Sequence, residues 1–296
     1  MRTNNYKLTV LFIVLVMTMF SCRKDPTPEN TGIDYSDCLV KGTDNTLDIV
    51  TFNIKEYPKY GEETAEKVAE LIKQMQVDII ALQEISSEEE LNNLADRLIG
   101  WEPEFYPINN SIWNLAYLIR SAEISINDAE SKVIYDDDFY SFPRPPFELH
   151  VTHIPSGMEV IILNNHFKCC GGSDNEDRRR SATDLLHNYV STVYPDEPVV
   201  ILGDLNDEIN GTSYEDNVFW TIVDDPDNFM FTDMDIARGS VAWWSYPSWP
   251  SHIDHICVSD ELFSSIDTTA VYRPGECYEE YSDIISDHRP VMLRLK

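Results

Sequence analysis

Basic residues are scarce in this sequence. Its 296 residues include 22 lysines and arginines against 52 aspartates and glutamates, which gives a formal net charge of −30 at pH 7. A field of this sign opposes non-specific binding to polyanions such as DNA, unless metal ions or a local basic patch intervene. The composition therefore argues against a protein that binds nucleic acid by charge alone, while its 43% of apolar residues are ample for a folded core.

A run of apolar residues long enough to cross a bilayer is also missing downstream of residue 21. The apolar run over residues 8–20 is short and follows Arg2 and Lys7, which is typical of an export signal. Cys22 comes next and resembles the acylated cysteine of bacterial lipoproteins. We expect a signal peptide over residues 1–21 and a lipid anchor on Cys22, in the cell envelope on the periplasmic or cell-surface side. An uncleaved membrane anchor is the alternative.

Cysteine pairs with the CxxC spacing of zinc sites are absent. Five cysteines follow Cys22, and an oxidising compartment permits disulfides but leaves at least one of the five unpaired within a monomer. Cys257 lies inside an apolar strand pattern and is expected to be free and buried. The pairing among the other four stays open: Cys38, Cys169, Cys170 and Cys277.

Residues 22–46 are polar and contain Pro26, Pro28 and Gly32 without periodicity, which predicts a flexible spacer. Beyond them, short apolar strands alternate with amphipathic helices. Strands are predicted over 47–53, 77–82, 112–119, 147–153, 160–166, 199–202, 253–259 and 291–295, and helices over 65–75, 88–98 and 182–193. This order predicts one α/β domain over residues 47–296, with mixed sheets and helices outside them.

Polar residues that are able to bind ligands recur where the predicted strands end. They are Asn53 in TFNI, Glu84 in ALQE, His166 in LNNHFK, Asp204 and Asn206 in GDLND, Asp254 and His255 in SHIDH, and Asp287 and His288 in SDHRP. Each one alone is typical of a turn or a helix cap. As a set they indicate a common rim, where oxygen ligands and imidazoles converge.

The ordered series FN, QE, NH, GDxN, IDH and SDHRP resembles the endonuclease/exonuclease/phosphatase family, from about residue 47 to the C-terminus. The resemblance implies an α/β fold of four layers, in which two mixed β-sheets pack face to face and helices flank them. It also implies metal-dependent hydrolysis of phosphoesters with Mg²⁺ or Mn²⁺, and Ca²⁺ as an auxiliary ion is an alternative. Glu84 is then the main metal ligand, with Asn53 beside it and Asp287 near enough to contribute.

The same resemblance implies roles for five further residues. Asp254 fixes the tautomer of His288, which takes a proton from water or stabilises charge. Asp204 orients or deprotonates the attacking water, and Asn206 donates hydrogen bonds to the phosphoryl oxygens. His166 stabilises the transition state. Which of His166, His288 and Asp204 is the formal base stays open, and His255 is expected to be structural.

Four features of the rim are less specific. Arg144 in FPRPPF resembles an arginine that points to the substrate phosphate, and a surface loop is an equal alternative. One of the three arginines over residues 178–180 is expected to face the site. The aromatic segment over residues 242–252 and the KCCGG loop from Lys168 are expected to overhang it, either to stack on substrate or as packed loops.

The leading hypothesis is an exported, lipid-anchored, monomeric phosphodiesterase that acts on nucleic acid as a nuclease. Within the same chemistry, the alternatives are a sphingomyelinase-like phosphodiesterase of phospholipid head groups and an inositol polyphosphate phosphatase. A catalytically inactive surface binding module is disfavoured, because loss of function is expected to erode such polar residues first and all of them are present.

Overall fold

The computed structural model describes residues 32–108 and 111–296. The expected signal peptide and Cys22 lie outside the described residues. Residues 33–296 form one compact unit. In the described part of the chain, no helix is both long and apolar enough to cross a membrane.

The strands follow the chain in the order β1 (Leu47–Tyr57), β2 (Ile79–Ile85), β3 (Trp101–Tyr106), β4 (Asn114–Arg120), β5 (Ile124–Ile126), β6 (Lys132–Val133), β7 (Phe147–His153), β8 (Met158–His166), β9 (Val199–Asp204), β10 (Phe229–Phe231), β11 (Asp254–Ser259), β12 (Ile266–Val271) and β13 (Val291–Leu295). The α-helices are α1 (Glu62–Met75), α2 (Glu88–Ala95), α3 (Ser173–Val193), α4 (Trp220–Val223), α5 (Met234–Ala237) and α6 (Tyr281–Ile284). The eight predicted strands and three predicted helices are all present, with shifted ends in most cases.

The strands form two mixed sheets. The first has the order β12-β13-β1-β2-β4-β3, and the second has the order β10-β11-β9-β8-β7-β5, with β6 paired to β7. Each sheet contains one parallel pair near its middle, β1 with β2 and β8 with β9, and antiparallel neighbours on either side. Parallel neighbours end at the same edge of a sheet, so the carboxyl ends of these four strands are available for one site.

The alternation of side chains along the strands explains why two sheets pack together. On β1, Ile49 points into the core between the sheets, where it joins Val200 of β9, while Val50 and Phe52 point to the other face. That outer face is covered by α1 and α2, and the outer face of the second sheet is covered by α3 through Leu186 and its neighbours. Both faces of each sheet are thus buried, which confirms the predicted four-layer α/β sandwich.

The N-terminal boundary of the domain differs from the expected one at residue 47. Tyr35 is fully buried in the core beside α1, and its backbone N–H donates to Gln74 at 2.9 Å. Cys38 forms a disulfide with Cys277, which joins this segment to the C-terminal part of the fold. Residues 33–46 therefore pack on the domain, and the spacer that was expected to end at residue 46 is too long. Local composition does not reveal this, because it depends on the long-range contacts of Tyr35 and Cys38.

The other three cysteines of the described residues are free thiols. Cys257 on β11 is buried and unpaired among the described residues, as predicted. Cys169 and Cys170 are not bonded to the other cysteines, and their Sγ atoms lie 2.7 Å apart.

Gly203 supports the end of β9 through its lack of a side chain. Its φ is +144°, and a Cβ atom there would lie 1.9 Å from the carbonyl oxygen of Asn165 on β8. The substitution Gly203→Ala should therefore lower the free energy of unfolding by about 2–5 kcal/mol, measured by urea denaturation. Gly171→Ala, where a Cβ meets nothing within 4 Å, is the matched control, and equal unfolding midpoints for the two variants would contradict this account.

Candidate active site

Asp204 lies where three neighbouring strands of the second sheet, β8, β9 and β11, each place a polar side chain. It ends β9, and its register partners are His166 on β8 and Asp254 on β11. All three residues are buried. The register alone therefore places an imidazole and a second carboxylate beside this aspartate, although they lie far apart in the sequence.

The first sheet contributes Asn53 and Glu84 to the same place. The Asn53 amide Nδ2 donates to Glu84 Oε1 at 3.1 Å and, across the gap between the sheets, to Asp204 Oδ2 at 2.9 Å. One amide group thus ties the polar ends of both sheets together.

A bulge in β1 shapes the rim next to Asn53. The register of β1 with β2 shifts between Asn53 and Tyr57, and Lys55, Glu56 and Glu84 all have positive φ, at 35°, 48° and 66°. The Glu56 backbone N–H donates to Glu84 Oε2 at 2.8 Å. Left-handed backbone at non-glycine residues costs free energy and concentrates at functional sites.

The same bulge directs Lys55 to Asp287. The Lys55 ammonium donates to Asp287 Oδ2, and the Tyr246 hydroxyl lies 3.5 Å from the same oxygen. Sequence reasoning did not single out Lys55 or Tyr246. The lysine follows a strand that was predicted to end at Asn53, and no sequence signal marks the bulge that turns it inward.

His288 is held by Asp254, as the resemblance implies. Its Nδ1 lies 2.9 Å and 3.1 Å from the two Asp254 carboxylate oxygens, and its backbone N–H donates to the Ser286 hydroxyl. Burial opposes the charged imidazole, but the carboxylates of Asp254 and Asp204 outweigh it and raise the pKa of His288 to about 10. Nε2 is left to face the cleft, 3.9 Å from Asp204 Oδ2.

The Asp204 carboxylate is surrounded by nitrogen atoms. Besides Asn53, His166 Nε2 lies 3.4 Å from Oδ2, and the backbone N–H of Asn206 donates to Oδ1 at 3.1 Å. Burial raises the pKa of Asp204 to about 7. The charge of His288 lowers this pKa, and the charge of Asp254 raises it. Burial, with the positive charges of Arg144 and His288, lowers the pKa of His166.

Arg144 is buried against the cleft and is not part of an exposed surface loop. It is 8% exposed, its Nη2 donates to the carbonyl oxygen of Phe167, and its Nε has no hydrogen-bond partner. No aspartate or glutamate of the described residues forms an ion pair with it. A buried guanidinium with an unsatisfied N–H beside a cleft is suited to bind an anion such as phosphate.

The donor set fits a divalent ion at Glu84. This carboxylate lines the cleft, forms no ion pair with lysine or arginine among the described residues, and uses each oxygen for one hydrogen bond. A carboxylate has about four lone-pair positions, so acceptor capacity remains for Mg²⁺ or Mn²⁺.

The other two expected ligands are placed differently. The Asn53 side-chain oxygen accepts the Lys55 backbone N–H at 2.9 Å and its nitrogen faces both carboxylates, so the amide orients Glu84 and keeps one lone pair on its oxygen. Ion binding by Asn53 stays a prediction. Asp287 lines the cleft, but one of its oxygens is already neutralised by Lys55.

A second cluster, Asp233, His252 and His255, has a spacing that could hold a metal ion. His255 Nδ1 lies 2.6 Å from Asp233 Oδ2, and its Nε2 lies 2.9 Å from the Asp207 carbonyl oxygen, so both nitrogens act as donors. His252 Nδ1 accepts the Ser245 N–H at 3.2 Å, which leaves its proton on Nε2, facing Asp233. An ion at Nε2 would require the opposite tautomer, so this cluster is a buried ion pair, and His255 is placed as the structural residue expected.

Two buried amides beneath the site were also missed. Gln83 Nε2 donates to Asn164 Oδ1 at 2.8 Å, and Asn164 Nδ2 donates to the carbonyl oxygens of Leu82 and Ala116 at 3.0 Å. These bonds join the two sheets under Asn53. The signal was present in the sequence, since QE and NNH place amides inside otherwise apolar strands.

The rim of the cleft contains residues from the arginine run, the KCCGG loop and the aromatic segment named in the sequence analysis. Arg179 is the one of the three consecutive arginines that lines the cleft, where it is paired with Asp207 at 2.8 Å. Cys169 and Cys170 of the KCCGG loop and Trp249 of the aromatic segment line it as well. Trp244 instead packs inward and donates through Nε1 to Ile236 O at 3.2 Å, so the aromatic segment serves both roles.

A model of the Endonuclease/Exonuclease/phosphatase family matches residues 50–288. The chain therefore belongs to this family, whose members are divalent-metal-dependent hydrolases of phosphoester bonds. A search among curated proteins found no match.

Three solved structures illustrate the shared fold, each at low sequence identity to this chain. D. rerio TDP2 complexed with a single-strand DNA product is 13% identical with a TM-score of 0.65, covering 85% of this chain and 99% of that one. An endonuclease/exonuclease/phosphatase from Bacteroides vulgatus is 16% identical with a TM-score of 0.63, covering 85% and 98%. A Bacteroides thetaiotaomicron mannosyl-6-phosphatase is 16% identical with a TM-score of 0.61, covering 84% and 99%. At these identities the likeness shows the fold alone.

Proposed function

We propose that this protein hydrolyses phosphoesters by metal-assisted attack of water in the cleft above Asp204. The proposal depends on one observation: three side chains converge on the buried Asp204 carboxylate. Asn53 comes from β1 of the first sheet, His288 from the loop before β13 of the same sheet, and His166 from β8 of the second sheet. Buried charges are costly unless they are paired, so such a cluster at a cleft indicates chemistry more than stability.

Substrate binding falls to the groups that lack partners. The Arg144 guanidinium with its free Nε holds the phosphate, and the second N–H of the Asn206 amide, whose first donates to Phe167 O at 3.3 Å, is available for a phosphoryl oxygen. A divalent ion held at Glu84, with Asp287 as a second oxygen donor, would draw electron density from the phosphorus centre when bound. His166, kept neutral by burial, adds an uncharged hydrogen-bonding group beside them.

Proton transfer falls to Asp204, and stabilisation of negative charge falls to His288. Asp204 is fixed on both oxygens by Asn53 and by the Asn206 backbone, so its remaining lone pairs are positioned to orient a water and accept its proton. Asp254 holds the His288 ring with Nε2 directed toward Asp204, where a charged imidazole stabilises the developing negative charge on the phosphoryl group.

Two substrate classes are candidates for this chemistry. Nucleic acid is the hypothesis from the sequence, and the fold shared with D. rerio TDP2, described with a single-strand DNA product, supports it. A small organic phosphate is the second candidate. It is favoured by the acidic lining of the cleft and by the fold shared with a mannosyl-6-phosphatase.

Export and lipid anchoring through Cys22 remain proposals as well. The disulfide between Cys38 and Cys277 supports a compartment outside the cytoplasm, because such bonds are rare in the reducing cytosol.

Hydrolysis of bis(4-nitrophenyl) phosphate with Mg²⁺ or Mn²⁺ tests the proposed chemistry. We expect turnover that chelator abolishes, and a fall in kcat/KM of about 10²–10³-fold in His288→Ala, because the charged imidazole that stabilises the phosphoryl group is lost. His187→Ala, a half-buried histidine of α3 outside the cleft, is the matched control and should keep full activity.

Calorimetric titration with Mn²⁺ separates binding from catalysis. Glu84→Gln should lose ion binding, while His288→Ala should retain it. Robust turnover by His288→Ala, or undiminished ion binding by Glu84→Gln, would remove that residue from the mechanism.

The anchor is tested by expressing the full chain in a bacterial host with a lipoprotein pathway. The wild type should partition with membranes, and Cys22→Ala should move to the soluble fraction, because the acylated thiol is missing. An unchanged membrane fraction for Cys22→Ala would contradict lipidation and favour an uncleaved anchor.

A further inference from the structure

The charges around the cleft differ from those of a nucleic-acid groove. The cleft has a volume of about 640 Å³, and its lining includes seven aspartates and glutamates but three lysines and arginines. Two of these cations are already paired with carboxylates, Lys55 with Asp287 and Arg179 with Asp207. Arg144 is therefore the single lysine or arginine of the lining, among the described residues, that is not neutralised by an acid.

Three of the carboxylates stand at the rim without such a partner. Glu56 and Glu176 are exposed and Glu208 is half-buried, and none has a lysine or arginine within ion-pairing distance in the described part of the chain. An ion held at Glu84 would compensate the centre of the cleft, but these rim charges would remain.

From this arrangement we infer that the substrate is a small phosphoester with a single phosphate group joined to a neutral, hydroxylated moiety such as a sugar, and not a polynucleotide. This inference rests on the proposed function and names the substrate class of the same site. One phosphate is matched by Arg144, whose unpartnered Nε is buried beside the cleft. Each further phosphate of a chain would approach the acidic rim.

Coulomb's law gives the size of the repulsion between a second phosphate and the carboxylates of the rim. Two like charges about 8 Å apart in water repel by an amount that changes a rate constant about twofold, and several rim carboxylates act together. A protein that binds polyanions shows the opposite arrangement, with lysines and arginines along the path of the backbone.

The neutral part of the substrate has suitable partners on the same lip. Trp113 and Trp249 line the cleft and are 43% and 79% exposed. An indole face carries partial negative charge and attracts polarised C–H groups, such as those of a sugar ring. Carboxylates accept hydrogen bonds from hydroxyl groups. The combination of indoles and acids therefore suits a hydroxylated ring better than a second phosphate.

The test compares three substrate types with the full-length metal-loaded enzyme: bis(4-nitrophenyl) phosphate, hexose 6-phosphates and thymidine oligonucleotides of increasing length. We expect kcat/KM for the hexose phosphates to exceed that for the oligonucleotides by at least about 10-fold, with values that fall as the oligonucleotide lengthens. Between about 50 and about 200 mM salt, activity on oligonucleotides should rise, because salt screens repulsion, whereas a polyanion-binding enzyme loses activity.

A charge-neutralising pair of variants isolates the rim. Glu176→Gln combined with Glu208→Gln should raise kcat/KM on oligonucleotides by about fourfold, at about twofold per charge. Asp177→Asn removes one charge from an exposed neighbour on the same helix that does not line the cleft, and it should change neither activity.

The outcomes distinguish the two levels of the proposal. Efficient oligonucleotide cleavage that salt suppresses would overturn the inferred substrate class and leave the phosphoester hydrolase intact. Absence of turnover on all three substrates, including the generic diester, would overturn the proposed function itself. Equal rates on hexose phosphates and oligonucleotides, with no response to the double variant, would also refute the role of the acidic rim.

Discussion

The hydrogen bond from Asn53 to Asp204 is the contact on which the site depends. It joins the polar ends of two separate sheets at 2.9 Å, and the same amide holds Glu84. The Gln83 and Asn164 side chains below it link the two sheets, because buried amides must find partners: Gln83 donates to Asn164, and Asn164 donates to carbonyl oxygens of the first sheet. The Glu84 and Asp204 carboxylates, for which we propose ion binding and orientation of water, are thereby positioned relative to each other by hydrogen bonds and not by packing alone.

The buried charges and the strained backbone of the site cost free energy, and nearby groups offset part of that cost. Asp204 and Asp254 are buried carboxylates that face each other as register partners of β9 and β11, and burial raises the pKa of Asp204. Their repulsion is offset by the charged His288 ring between them and by the backbone and amide donors around Asp204. Backbone strain at the bulge of β1 and at Asn206, with φ of 57°, adds to the cost. A costly cluster of this kind at the cleft agrees with the phosphoester chemistry that we propose.

The sequence predicted the strands and helices whose side chains are mostly buried, because those segments show the clearest apolar pattern. The eight predicted strands are the apolar ones in the middle of the sheets, while the five that were missed, β3, β5, β6, β10 and β12, lie at sheet edges. Edge strands such as WEPEFY are half-exposed and lack the apolar pattern on which the prediction relies. The ordered motifs brought His166, Asp204, Asp254 and His288 together correctly. Lys55 and the side-chain orientation of Asn53 were not predictable, since both follow from a bulge and a contact across sheets.

The most direct test of the central claim is a crystal structure of the protein grown with Mn²⁺ and inorganic phosphate, with the ion located by its anomalous scattering. The account predicts an ion on the Glu84 carboxylate and a phosphate between Arg144 and Asn206, above Asp204. An ion bound instead by Asp233, His252 and His255, or a phosphate bound away from Arg144, would contradict the account.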